Sequence, residues 1–94
     1  MESKQDVINF VFDAIEDIIR ENEVGVRKIA RWNIGHMAFI GNTDQITHLL
    51  LRIIEWDRDV NYETNLISQF KMYIDFGTDG HLTISHVDAY NGNN

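Results

Sequence analysis

The chain contains no cysteine, which excludes a disulfide framework and thiolate metal sites and leaves packing alone to hold the fold. It is also poor in positive charge, with eight Lys plus Arg against fifteen Asp plus Glu and a net charge of −7. A phosphate-backbone binder draws its affinity from clustered cations that displace counterions, so nucleic acid is not an expected partner. No window approaches the roughly 18 apolar residues of a membrane span, and the opening Met-Glu-Ser-Lys-Gln-Asp lacks the basic region and apolar stretch of a signal peptide. The expectation is a cytoplasmic chain with no membrane partner. Missing too are a glycine-rich phosphate loop, a Gly-x-Ser-x-Gly elbow and a histidine-glutamate zinc motif, so no motif points to an enzyme.

What is present reads as one globular domain over residues 1–94. The chain is 44% hydrophobic and 11% aromatic, and Gly25, Gly35, Gly41 and Gly77 fall where periodic runs break. Area scaling lets a chain of this mass bury about 65% of its unfolded surface, enough for a single core.

Ser3 and Asp6 form a Ser-x-x-Asp variant of the capping box, followed by Val7, Ile8, Val11, Phe12, Ile15, Ile18 and Ile19 at spacings of three and four. This predicts an amphipathic helix over residues 3–22. At 100° per residue, Asp6, Asn9, Asp13, Glu16, Asp17 and Arg20 fall on the outward side, which is markedly acidic. The character then changes, since residues 26–41 hold Arg27, Lys28 and Arg31 and no acid. Residues 26–32 and 36–40 read as two strands joined through Asn33-Ile34-Gly35, although Val26, Ile29 and Ala30 would equally suit a short helix. Asn42-Thr43-Asp44 can cap a second amphipathic helix over 43–58, with Ile46, Leu49, Leu50, Ile53 and Ile54 at helical spacing.

Residues 59–68 have weak periodicity and read as a loop with Tyr62 and Glu63 near its tip. The runs 70–76 and 81–87 alternate around Gly77-Thr78-Asp79-Gly80, which predicts a β-hairpin. Phe70, Met72, Ile74, Phe76, Leu82 and Ile84 fall inward, and Lys71, Tyr73, Asp75, His81, Thr83 and Ser85 outward. Residues 90–94 are polar and read as a frayed end. The expected fold is therefore α+β, with two amphipathic helices packed on one face of a small antiparallel sheet in the order α-β-β-α-β-β. Strand order is not determined, because the hairpins can lie side by side or one inserted in the other.

The histidines offer little chemistry. His81 and His86 are five apart on one strand and point to opposite faces, while His86 with Asp88, or Asp44 with His48, supply two ligands where a metal needs three or four. Carboxylates on a solvated helix face lack the apolar cleft that would separate their pKa values for acid-base work. Neither a metal nor a cofactor is expected, and the chain is not read as an enzyme.

The surplus of anions points instead to a macromolecular partner. Several like charges raise the rate of association with a cationic protein, but affinity needs desolvated anchors, commonly tyrosine or tryptophan. The candidate partner surface comprises Asp6, Asp13, Glu16 and Asp17 on the first helix, Tyr62 and Glu63 in the loop, and Tyr73 and Asp75 on the outward hairpin face. The function expected is a small acidic inhibitor that neutralises a basic protein, as an immunity protein blocks a nuclease toxin in a bacterial setting. The same logic covers a phage-encoded antagonist of a host nucleic-acid-binding defence protein. A different class is a self-associating domain, such as a homodimer, that uses the open sheet face or an edge strand, with segment 26–41 meeting a neighbour's acidic helix. The inhibitor expectation depends on Asp13 and Glu16 not being locked against Arg27, Lys28 or Arg31 of their own chain.

Overall fold

The computed structural model describes residues 3–62 and 71–85. They form two helices, α1 (Lys4–Glu21) and α2 (Thr43–Trp56), and five strands: β1 (Arg27–Trp32), β2 (His36–Ile40), β3 (Asn61–Tyr62), β4 (Lys71–Phe76) and β5 (Leu82–Ser85). Helix α1 starts on a closed capping box. The Asp6 N–H donates to Ser3 Oγ at 3.1 Å, and the Ser3 N–H donates to Asp6 Oδ2 at 3.3 Å. Helix α2 repeats the device with Asn42 and Gln45, at 2.8 and 2.9 Å.

Helix α1 stops four residues before Gly25, the glycine that marks the break in the sequence. The Val24 N–H donates to the Ile19 carbonyl at 2.9 Å and the Glu23 N–H to that of Arg20 at 3.2 Å, the paired bonds of a Schellman closure. The left-handed position falls on Glu23, at φ +53°. A side chain there costs about 1 kcal/mol relative to glycine, and this carboxylate also faces the negative end of the helix dipole. Glu23→Gly should therefore stabilise the protein by about 1 kcal/mol, read as a higher urea midpoint at unchanged slope. A lower midpoint would mean that the carboxylate makes a compensating bond.

Residues 27–32 are strand rather than helix: β1 pairs antiparallel with β2 from Arg27 opposite Ile40 to Trp32 opposite His36, with a bulge between Lys28 and Ala30. Gly35 closes their turn at φ +108°, and an added Cβ would meet Ile8 Cδ1 and the Phe76 carbonyl oxygen at 3.4 Å. The Gly35 carbonyl accepts the Phe76 N–H at 2.8 Å. This bond ties the β1–β2 turn to the end of β4.

The sheet runs β1-β2-β4-β5-β3. The two hairpins thus lie side by side, with β2 antiparallel to β4 and β4 antiparallel to β5. The sheet is mixed, not wholly antiparallel, because β3 pairs parallel with β5. Strand β3 was concealed within the 59–68 segment expected to be a loop. Two exposed polar residues that pair through backbone alone leave no alternation in the sequence to reveal them. The described order is consequently α-β-β-α-β-β-β.

Alternation decides which side of the sheet is apolar. Met37, Phe39, Met72, Ile74, Leu82 and Ile84 are buried and merge into one cluster with Ile8, Phe12 and Ile15 of α1 and Ile46, Leu49, Leu50 and Ile53 of α2. The opposite phase of the sheet carries, in cross-strand register, Trp32–His36–Asp75–Thr83 and then Ala30–Ala38–Tyr73–Ser85. The inward and outward phases of β4 and β5 are those the alternation implies. Phe70 and residues 86–87 of that hairpin lie outside the described residues, as do residues 90–94.

Candidate partner-binding surface

The acids of α1 meet the bases of β1. Lys28 and Arg31 pair in register with Phe39 and Met37, so they leave β1 on the core side, and their position at the sheet edge lets them reach α1. Arg31 Nη1 donates to Asp13 Oδ1 at 2.8 Å and to Glu16 Oε2 at 3.0 Å, while Lys28 Nζ donates to the same Glu16 oxygen at 3.1 Å. Arg31 also lies over the Phe12 ring, 5.7 Å from its centroid. Burial pushes the Glu16 carboxyl upward, but hydrogen bonds from Arg31 and Lys28 and their charges outweigh it and hold the group below its ordinary value. Arg31 is drawn down by its own burial and raised further by Asp13 and Glu16, with a net shift upward. Of the other two candidate acids on this helix, Asp17 pairs with Arg20 and Asp6 serves the capping box.

Asp13 is thus locked against Arg31, and Glu16 against Arg31 and Lys28, which is the outcome on which the inhibitor expectation drawn from the acidic face of α1 fails; these residues carry no case for a partner surface. The pairing does not remove the surplus itself, because each internal pair cancels equal and opposite charge and the total stays at −7. The excess is displaced to other residues. Glu21, Glu23, Asp44, Asp57, Asp59 and Asp79 make no ion pair among the described residues.

The remaining candidates separate in space. Tyr62 is exposed on β3, at the edge of the sheet opposite β1, about 19 Å away by four strand spacings. Glu63 lies outside the described residues. Tyr73 and Asp75 stand on the face turned away from the core, so they do not share a surface with the acids of α1. The seven candidates among the described residues therefore form three groups rather than one patch.

The Tyr73–Asp75 group sits in a groove of about 410 Å³ lined by Trp32, Ile34, His36, Tyr73 and Asp75. Of its aromatic residues Trp32 ends β1 and Tyr73 lies within β4, and its apolar tip, Ile34, belongs to the β1–β2 turn. Ile34 is 72% exposed there and Trp32 45%. His36 is cross-strand partner to Asp75 and their side chains hydrogen-bond, Nδ1 to Oδ1. An ionised carboxylate can only accept, so the imidazole donates from Nδ1 and holds the carboxylate in place.

A histidine and a carboxylate in a groove are the minimal requirement for acid-base chemistry, and their order across the sheet bears on it. A catalytic triad needs nucleophile, imidazole and carboxylate in sequence. Here the row reads Trp32, His36, Asp75, Thr83, which places the hydroxyl beside the carboxylate and an indole beside the imidazole. That arrangement suits binding better than nucleophilic attack. Among the described residues no group of three or more His, Asp or Glu side chains is placed to hold a metal ion.

Trp32, Ile34 and His36 were not among the residues the sequence singled out. Trp32 and Tyr73 become neighbours in the groove only once β2 is placed next to β4. His36 likewise faces Asp75 only in that strand order, which hairpin signals do not determine. The chain matches no protein family, no curated protein and no solved structure.

Proposed function

We propose that the protein is a small acidic inhibitor that binds a basic protein, and that the binding surface is the sheet face bearing the groove. The observation that carries the reading is the convergence of Trp32, Tyr73 and Asp75 on one groove outside the core. Exposed aromatic side chains supply the desolvated anchor that charge alone lacks, and the overall −7 supplies the long-range attraction. The reading takes both helices as a single layer on the core face, which leaves the other face to the partner. A domain this size can give a standard interface of about 800 Å² per partner to one face.

Self-association through the basic segment finds less support. Lys28 and Arg31 are engaged by α1 of their own chain, and edge strand β1 carries a bulge and three cations, features that discourage edge-to-edge pairing.

The test is capture from an extract of the source cell by immobilised wild-type protein and by a Trp32→Ala, Asp75→Asn variant. The expected ligand is a basic protein whose activity falls at stoichiometric ratio and whose association slows as salt rises. The double variant should bind it about 100-fold more weakly. A captured acidic protein, or equal capture by the variant, would overturn the proposal.

A further inference from the structure

We infer that the groove receives a single arginine side chain projecting from the basic partner. This rests on the reading above and adds the group that is recognised. Three clefts among the described residues can be set side by side, and their charges differ. The cleft between α1 and β1 contains Glu16 together with Arg20 and Lys28, and the cleft beside the start of α1 contains Lys4 and no acid. The groove on the sheet face has a carboxylate and neither lysine nor arginine among its lining residues. It is the cleft whose charge complements a cation and opposes an anion.

The walls narrow the choice of cation. Trp32 and Tyr73 offer aromatic faces, on which a weakly hydrated planar guanidinium stacks, and Ile34 offers apolar surface for a three-carbon stem. Asp75 uses Oδ1 to accept from His36, and among the described residues nothing donates to Oδ2, the oxygen that would accept an N–H of the guanidinium. The positioning by His36 means the carboxylate need not be ordered when the ligand arrives. Lysine would bring one ammonium that is costly to dehydrate and cannot stack, so arginine is preferred. The volume lies at the small end of ligand pockets, which matches one side chain rather than a folded segment.

The probe is N-acetyl-L-arginine amide, with N-acetyl-L-lysine amide as comparison, titrated into the full chain and followed by ¹H–¹⁵N NMR. The Trp32 indole N–H and the backbone amides of His36 and Asp75 should move in the low-millimolar range, while the Trp56 indole stays still as an internal control. Arginine should bind at least about threefold more tightly than lysine. Asp75→Asn should weaken the probe about tenfold and Trp32→Ala about threefold. Both positions are partly or largely exposed, so the variants keep the fold and their spectra verify it. Equal binding of the two probes, shifts unaffected by Asp75→Asn, or groove signals that move with protein concentration alone would each overturn the inference. If a basic partner is captured and weakened by Trp32→Ala while the arginine probe leaves the groove unmoved, only the arginine site falls. If the probe binds but no basic partner engages this face, the inhibitor reading falls instead.

Discussion

Replacing Phe12 with alanine is expected to destabilise the protein by about 3–5 kcal/mol, whereas the same change at Phe10, two positions away, should stay within about 0.5 kcal/mol. The contrast follows from the phase of one helix. Phe12 is 0% exposed and sits in the cluster that joins α1 to the sheet, while Phe10 is 68% exposed. Truncating Phe12 loses the transfer energy of the ring, leaves a cavity that close-packed neighbours fill only in part, and takes away the surface on which the Arg31 guanidinium lies. A domain of this length has a total stability of about 5–14 kcal/mol, so Phe12→Ala removes a large fraction of it. Urea denaturation checks both substitutions: the midpoint should fall by more than about 2 M for Phe12→Ala and hardly move for Phe10→Ala. Equal losses at the two positions would mean that α1 is rotated about its axis relative to this description.

The same helix shows what the sequence made legible. Apolar spacing and caps placed α1 and α2 to within a residue or two, because each signal lies within a few turns of chain. Alternation placed Met72, Ile74, Leu82 and Ile84 against the core for the same reason. What was not legible was contact between segments far apart in sequence. The acidic side of α1 looked free because its neighbours could be read only along the helix, where Asp13 meets no base and Glu16 meets only Arg20, four residues on. Arg31 reaches them from eighteen and fifteen residues away, and only the side of β1 on which it emerges brings it there. The His36–Asp75 contact spans thirty-nine residues and depends on β2 lying against β4. Charge segregation between residues 1–25 and 26–41 was the one visible sign of neutralisation between the two segments, and it is equally consistent with attraction to a partner.

Arg31→Met tests that internal neutralisation and should destabilise the protein by about 2 kcal/mol. The guanidinium side chain is 23% exposed and Glu16 31%, against 70% for Asp13. Exposed ion pairs contribute about 0.2–1 kcal/mol, and breaking fully buried ones costs about 3–5, so a half-buried pair falls between. Methionine keeps an apolar stem of similar length and removes the charge, whereas Arg31→Ala, which loses the stem as well, should cost more. The pH dependence supplies an independent check. The folded Glu16 carboxyl lies below its unfolded value, so its contribution is complete above the ordinary glutamate range and is lost as pH falls through the folded value. In Arg31→Met the group loses its main partner, and the fall in stability with acid should become shallower; an unchanged acid limb would remove Arg31 as its cause. The variant also discriminates between surfaces. It takes the net charge from −7 to −8, frees Asp13 and leaves Glu16 to Lys28 alone. Were the acids of α1 the docking surface, affinity for a cationic partner would rise sharply. With docking on the opposite face, the association rate should rise by no more than about twofold and the dissociation rate should stay as it is. Trp32→Ala should instead speed dissociation, because it removes an anchor and leaves the overall field intact.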